Sequence, residues 1–380
     1  MELERIIAET ELPGWVFLSL FLLTIILQLV FYLGSYTRLA TYRPKKHSRN
    51  RKGVSVIICA RNEADMLERN LPLILEQDYP EYEVIVVNDR SEDHTEELLM
   101  EMSHKHGNLN YTTLPANQLH GRRKKLALTI GLKSARYERV LLTDADCIPA
   151  GNQWLKLMTS HFSRGKDFVL GYGRYEAKKG FLNLLIRYET VLTAIQYLSS
   201  ALNGKPYMGV GRNLAYNKHI FFQNKGFSKH YHLPSGDDDI FVNAHAKADN
   251  TAIEIHPDSH TISQPETSFR SWIRQKQRHL TAGAHYSARS KIRLGIEITS
   301  RLAIYPLALG LCVFSGWLWP VLCLFMFFLI TRMIVFKLGM MRLNEKYLLL
   351  PSLLFDPLLP LALGIFWLRG RSKRKHQQWS

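Results

Sequence analysis

The sequence predicts an α/β domain, a doubly wound sheet, held between membrane helices. Three observations carry this reading. Apolar runs of strand length each end in a polar cluster, helical stretches separate them in βαβ order, and stretches nearly free of charge and long enough to cross a bilayer stand at both ends of the chain.

Residues 12–36 hold no charge over about 25 residues, enough to cross a hydrocarbon core of roughly 30 Å. No small-residue cleavage site accompanies them, so the segment reads as a retained N-terminal transmembrane helix. Residues 1–11 carry four glutamates and one arginine. Residues 37–53 carry Arg38, Arg43, Lys45, Lys46, Arg49, Arg51 and Lys52 and no acid. The positive-inside rule then puts the amino terminus outside and residues 53–282 in the cytoplasm, as the soluble part of a multi-pass protein of the plasma (inner) membrane. The net charge of +16 is read as topology control and attraction to anionic membrane lipids, with no nucleic-acid partner.

Val54–Ala60, VSVIICA, reads as a strand buried on both faces and ends in Arg61, Asn62 and Glu63. A helix over residues 64–77 follows, with a kink or break expected at Pro72. Residues 82–87, YEVIVV, repeat the strand pattern and end in Asn88, Asp89, Arg90, Ser91, Glu92 and Asp93. A less apolar strand over 109–113, a helix over 122–135 that includes Lys124 and Lys125, and a strand over 140–143 running into Asp144, Ala145 and Asp146 complete the order. In an open parallel sheet, ligands lie beyond the carboxyl ends of the strands. Glu63, Asp89, Asp144 and Asp146 therefore arrive at one edge. A single Asp-x-Asp is also what a solvated turn carries, but that accounts poorly for several acidic endings on one edge. Paired carboxylates suit a hard divalent cation that keeps positions open for phosphate oxygens. Lys124 and Lys125, near a helix amino terminus, lie on the same side. The absence of GxGxxG and GxxxxGK[ST] argues against a dinucleotide fold or a P-loop.

Residues 168–177 and 206–216 read as strands, the second with Gly209 and Gly211 permitting close backbone approach. Residues 181–202 read as one amphipathic helix. Gly236, Asp237, Asp238 and Asp239 precede a helix over 242–248; an N-cap explains one of the aspartates, and three adjacent carboxylates repel one another. Residues 269–282 place Trp272, Gln275, Arg278 and His279 at helical spacing, a pattern that a basic helix lying on a membrane also carries. Cys59, Cys147, Cys312 and Cys323 lack CxxC spacing and read as core thiols. Residues 300–337 read as a transmembrane hairpin turning at 315–320. Residues 347–368, with Pro351, Asp356, Pro357 and Pro360, read as a broken, re-entrant or interfacial element or a third C-terminal membrane helix, because an isolated carboxylate in hydrocarbon is expensive.

Taken together, these residues resemble the family-2 inverting glycosyltransferases of the GT-A fold, in the membrane-embedded branch that includes ceramide glucosyltransferase and the chitin, hyaluronan and cellulose synthases. ARNE at 60–63 looks like the first-strand motif, NDRSED at 88–93 the nucleotide-binding aspartate motif, KKLAL at 124–128 the Lys-x-x-Ala-Leu segment, and DAD at 144–146 the metal motif. SGDDDIF at 235–241 resembles the Glu-Asp motif, and QKQRH at 275–279 resembles Gln-x-x-Arg-Trp. The resemblance implies inverting transfer from a nucleotide sugar, a UDP-sugar, to a hydroxyl of a lipid or saccharide acceptor. It assigns Glu63 and Asp89 to the nucleoside, Asp144 and Asp146 to Mg²⁺ or Mn²⁺, and Lys124, Gln275, Arg278 and His279 to substrate. The Glu of Glu-Asp falls on Gly236 or Asp237 according to register, leaving Asp237 or Asp238 as the general base. His279 stands where the family has tryptophan, which counts against processive synthesis. A processive polysaccharide synthase and an inactive membrane scaffold are the alternatives.

Overall fold

The structure, a computed structural model, describes residues 12–44, 52–115, 123–231, 233, 235–314 and 318–377. The basic residues at 45–51 and part of the turn expected at 315–320 lie outside the described residues. The chain forms two compact units, Met1–Tyr42 with Ser287–Ser380, and Arg43–Tyr286. The first opens with α1 (Leu12–Leu29), which continues through a π-helical stretch, Val30–Tyr36, into a last α-turn, Thr37–Ala40.

In the second unit, β1 (Val54–Ala60), α2 (Ala64–Leu75), β2 (Tyr82–Asn88), α3 (Thr95–Lys105), β3 (Leu109–Thr113), α4 (Arg123–Ser134) and β4 (Arg139–Asp144) alternate as expected. Then come β5 (Cys147–Pro149), α5 (Trp154–Thr159), β6 (Phe168–Leu170), β7 (Gly173–Tyr175), α6 (Phe181–Leu202), β8 (Leu214–Asn217), α7 (Lys218–Gln223), α8 (Asp239–His245), β9 (Thr251–Ile253), β10 (Thr261–Ser263) and α9 (Phe269–Gly283). The main sheet has seven strands in the order β3-β2-β1-β4-β8-β6-β9, and β5-β10-β7 form a smaller sheet. Strands β1 to β4 pair in parallel, whereas β8 runs antiparallel to both β4 and β6. One acid interrupts the apolar run of β2. Glu83 is buried, and its carboxylate accepts from Ser55 Oγ at 2.6 Å, Arg136 N–H at 2.6 Å and Asn110 Nδ2 at 3.2 Å, which satisfies a group that would otherwise be costly there.

Several expectations change in this unit. Helix α2 runs through Pro72 without a break; the carbonyl that loses its partner belongs to exposed Glu68, where water can replace it. Residues 168–177 are two strands in different sheets, because Asn213 occupies the place where a single strand would continue. It packs against Gly171, and its amide donates to the carbonyls of Tyr172 and Ser259. Of residues 206–216, only the end joins β8, after a 3₁₀ turn at Gly211–Asn213. Helix α8 starts at Asp239 rather than 242, with Asp238 as the N-cap.

The first unit is completed by α10 (Ala288–Phe314), α11 (Leu318–Arg342) and α12 (Leu349–Gln377). Among the described residues, four segments are long and apolar enough to cross a membrane: Gly14–Ala40, Ala288–Val313, Leu318–Arg342 and Leu349–Arg369. Helix α10 begins well before residue 300, in a charged stretch that apolar patterning does not mark. Two of those charges, Glu297 and Arg301, are buried and paired at 3.4 Å one turn apart. Asp356 is likewise not isolated. It lies 3.6 Å from Arg301 Nη1 and 3.4 Å from Arg332 Nε, and it accepts from Tyr305 OH at 2.5 Å. With that compensation α12 stays one continuous helix around Pro357 and Pro360. Gln28 ties α1 to α10 through the Glu297 carbonyl at 3.0 Å and Ser300 Oγ at 2.8 Å.

The packing of α4 on the sheet is testable. A Cβ on Gly131 would lie 2.6 Å from Ile57 Cγ2 and 3.2 Å from Val87 Cγ2. Gly131→Val is expected to lower stability by about 1–3 kcal/mol through overpacking, read as a shifted denaturation midpoint of the detergent-solubilised chain. An unchanged midpoint contradicts this packing.

Candidate active site

Strands β1 and β2 deliver the first acidic endings. Past each strand one residue turns into the left-handed region, Asn62 at φ 54° and Arg90 at φ 55°. The two loops are stitched together. Asp89 N–H donates to the Ala60 carbonyl at 2.8 Å, Asn62 N–H to Ser91 Oγ at 2.9 Å, Glu92 N–H to Asn62 Oδ1 at 2.8 Å and Glu63 N–H to Thr95 Oγ1 at 3.1 Å. Asp89 is buried, and its Oδ1 accepts from Arg90 Nε at 2.9 Å and Nη2 at 2.7 Å. Desolvation, then the charges of Asp146, Asp144 and Asp93, push the half-buried Glu63 carboxyl up to about 7. The ends of β1 and β4 lie side by side, since the two strands pair up to Cys59 and Asp144.

Asp144 closes β4, and Asp146 follows in the turn before β5. Between them Ala145 is buried, its carbonyl accepting from Asn70 Nδ2 at 3.0 Å, so the two carboxylates stay together as expected. One donor atom each from Asp144, Asp146 and Cys147 lie within 4.8 Å of one another, a set of two hard oxygens and a thiol. Burial disfavours the Asp144 charge, but Lys124 Nζ, 2.8 Å from its Oδ1, outweighs burial and holds the carboxyl low. Asp146 is pushed up by burial and by Asp144. Cys147, expected only as a core thiol, sits 3.5 Å from Asp146 Oδ1 and 2.9 Å from Ser263 Oγ.

The three adjacent aspartates have separate surroundings. Asp237 lies 3.6 Å from Lys124 Nζ, so one ammonium spans the two acidic motifs. Asp238 Oδ2 accepts from Gly211 N–H at 2.5 Å and its Oδ1 from Asp239 N–H at 2.8 Å; burial and the Asp237 charge push its carboxyl up to about 6. Asp239 accepts from Ile240 N–H at 2.7 Å and Tyr286 OH at 2.8 Å, and burial with the Asp238 charge pushes it up to about 8. Gly236 has φ 87°, a conformation in which an L side chain is strained, and a Cβ there would lie 2.2 Å from Ile240 Cδ1.

Lys125, next to Lys124, points the other way. Its buried ammonium donates to the carbonyls of His230 at 2.7 Å, Leu233 at 3.1 Å and Ser235 at 2.8 Å, and so braces the loop that leads to the aspartates. Ser235 Oγ in turn donates to the Arg278 carbonyl at 3.0 Å, which joins α9 to that loop. On α9 the Arg278 charge acts on Asp144, and His279 feels Lys276, Arg278, Arg212 and Lys124. Gln275 is half-buried, with its side-chain oxygen unpartnered among the described residues. A ring contact between Phe181 and Phe269 and an ion pair between Lys276 and Glu189 hold α9 to α6. The sequence reading missed Arg212, Tyr286 and the nearness of Cys147, and it placed Lys125 on the phosphate side, where the three carbonyls that enclose its ammonium do not leave it. Only Arg212 had a local signal, the glycines that precede it in GVGRN.

Residues 140–368, more than half of the chain, match the family described as Glycosyl transferase family group 2, and residues 55–222 match Glycosyl transferase family 2. Over 158 residues, 40% of its length, the chain is 30% identical to a poly-beta-1,6-N-acetyl-D-glucosamine synthase of Staphylococcus epidermidis. Over 97 residues, 26% of its length, it is 33% identical to the synthase of that name from Staphylococcus aureus strain MSSA476. The matches span 37% and 22% of those relatives. Among solved structures, the mannosyltransferase PcManGT from Pyrobaculum calidifontis, in complex with GDP-Man and Mn²⁺, aligns with a TM-score of 0.58 at 19% identity over 90% of this chain and 98% of that one. That likeness is one of fold, and the GT-A architecture expected from the motifs is the fold of the central unit.

The raised carboxyls make a signed prediction. Glu63 near 7 and Asp239 near 8 bind protons in the folded chain that the unfolded chain has already lost, so stability falls as pH rises through their folded pKa values. The ligand-free chain is expected to be less stable at about pH 8 than at about pH 6.5, with a shallower slope in Asp239→Asn. Thermal melts across that range check it, and a rise of stability with pH contradicts the clustering.

Proposed function

We propose that this chain, which belongs to glycosyl transferase family group 2, transfers a sugar from a nucleoside-diphosphate donor, a UDP-sugar, to a hydroxyl acceptor with inversion at the anomeric carbon. The convergence of Glu63, Asp144, Asp146, Asp237 and Asp238 around Lys124 at one sheet edge carries this reading.

Asp144 and Asp146 fit Mg²⁺ or Mn²⁺, since an oxygen of each lies within 4.8 Å of the other. A divalent ion there supplies charge neutralisation for the departing diphosphate. A side chain at position 236 would be strained at φ 87°, which favours the register that makes Asp238 the base and Asp237 its neighbour, held by Lys124. A carboxyl near 6, aimed by two backbone N–H groups, suits proton abstraction close to neutral pH. The acceptor oxygen forms its bond to the anomeric carbon while the bond to the diphosphate oxygen breaks on the opposite face; the electron pair leaves with the diphosphate and the proton passes to Asp238. Glu63 and Asp89 lie at strand ends suited to the nucleoside, and Gln275, Arg278 and His279 line the α9 side.

The names of the two relatives make N-acetylglucosamine the first sugar to test, and they support a second reading, polymer synthesis. His279 in place of tryptophan favours the short product. Purified chain given UDP-N-acetylglucosamine, Mn²⁺ and membrane lipid is expected to yield a singly glycosylated lipid; a long polymer on mass spectrometry selects the second reading. EDTA should abolish turnover. Asp238→Asn should keep donor binding and lower transfer by about 10²–10⁴, whereas an equal loss in Asp237→Asn alone moves the base to Asp237.

We place residues 53–282 on the cytoplasmic side of the membrane, supported by the basic residues that follow the first span. An impermeant label should not reach a cysteine at exposed Lys133 in intact cells; labelling from outside reverses the topology.

A further inference from the structure

Beside the acidic motifs stands a cation that belongs to none of them. Arg212 leaves the turn Gly211–Asn213 with its guanidinium 4.2 Å from the centre of the Tyr175 ring and Nη1 3.2 Å from Ser263 Oγ. Its backbone is pinned as firmly. The Arg212 carbonyl accepts from Thr143 Oγ1 at 3.1 Å and Thr261 Oγ1 at 3.0 Å, one hydroxyl on the strand that ends in Asp144 and the other on the strand that pairs with Cys147. The residue before it holds Asp238 through its N–H. A single turn thus joins the two acidic motifs. The positive charge acts on both Asp144 and Asp146.

Among the described residues, however, Arg212 closes no direct ion pair with either aspartate, and Ser263 takes only one of the five N–H donors of a guanidinium. A cation stacked on an aromatic face and fixed at its backbone keeps a rigid fork, the shape that matches two oxygens of an anion. We propose that Arg212 is a substrate-binding residue, a built-in cation that balances Asp144 and Asp146 in the ligand-free chain and binds the diphosphate of the donor when it arrives. This rests on the donor reading above, and it adds a signed consequence. A fixed positive charge beside two carboxylates opposes a divalent cation but favours a diphosphate. Removing it should therefore move the two affinities in opposite directions, which a merely structural role would not do.

The test uses the full detergent-solubilised chain, with Mn²⁺ alone, UDP and UMP as probes. In Arg212→Ala, Mn²⁺ binding followed by electron paramagnetic resonance should tighten, while UDP affinity by calorimetry in saturating Mn²⁺ should fall at least about tenfold. UMP affinity should fall by less than about threefold, because the distal phosphate is the group lost. Arg212→Lys keeps the charge without the fork, and is expected to leave Mn²⁺ affinity near that of the parent while still weakening UDP. Mn²⁺ and UDP affinities that fall together, or a UDP affinity that does not change, overturn the proposal. If the parent chain binds Mn²⁺ but neither UDP nor GDP, the donor reading fails, and the role of Arg212 fails with it.

Discussion

Like charges crowded at one sheet edge are the constraint on which the cleft depends. Glu63, Asp144, Asp146, Asp237, Asp238 and Asp239 come from three separate stretches of chain, and an uncompensated cluster of that kind raises every carboxyl in it. The fold offsets the repulsion in two ways. Lys124 spans Asp144 and Asp237, and backbone N–H groups of Gly211, Asp239 and Ile240 bind the carboxylates of Asp238 and Asp239. Glu63, Asp146, Asp238 and Asp239 stay raised all the same, Asp146 even with the Arg212 charge beside it.

The supports of that arrangement lie one layer out and face away from the cleft. Buried Lys125 braces the aspartate loop on three carbonyls, Ser235 ties the loop to α9, and the Lys276–Glu189 pair ties α9 to α6. Two adjacent lysines therefore do opposite work. One is half-exposed and electrostatic, and the other is enclosed and structural. A charged group fully enclosed by acceptors is costly to misplace, so the loop has one favoured position relative to the sheet.

The membrane unit meets the same difficulty in a medium where it is more severe. Glu297, Arg301, Arg332 and Asp356 are all buried, and each charge has an opposite one nearby. Buried pairs of this kind add little net stability against an apolar alternative, but breaking one is expensive, so they specify which helix faces which. Asp356 thus sets the packing of a helix that its prolines alone would leave ambiguous.

Much of this was written in local pattern. The strands β1 to β4, their polar endings, the first span and the acidic motifs all follow from runs of a few residues, because hydrophobic periodicity and turn chemistry act over that range. Patterns of that length could not say that residues 168–177 split between two sheets, that α10 begins inside a charged stretch, or that Asp356 has partners. The first and the last depend on residues far away in sequence: Asn213 against Gly171, and Arg301 and Arg332 beside Asp356. The sequence by itself determined which chemical groups reach the carboxyl edge of the sheet. Only the tertiary structure decided which of three consecutive aspartates is bound by backbone and which by Lys124, and that Arg212 stands beside them, because electrostatic fields add over space rather than along the chain.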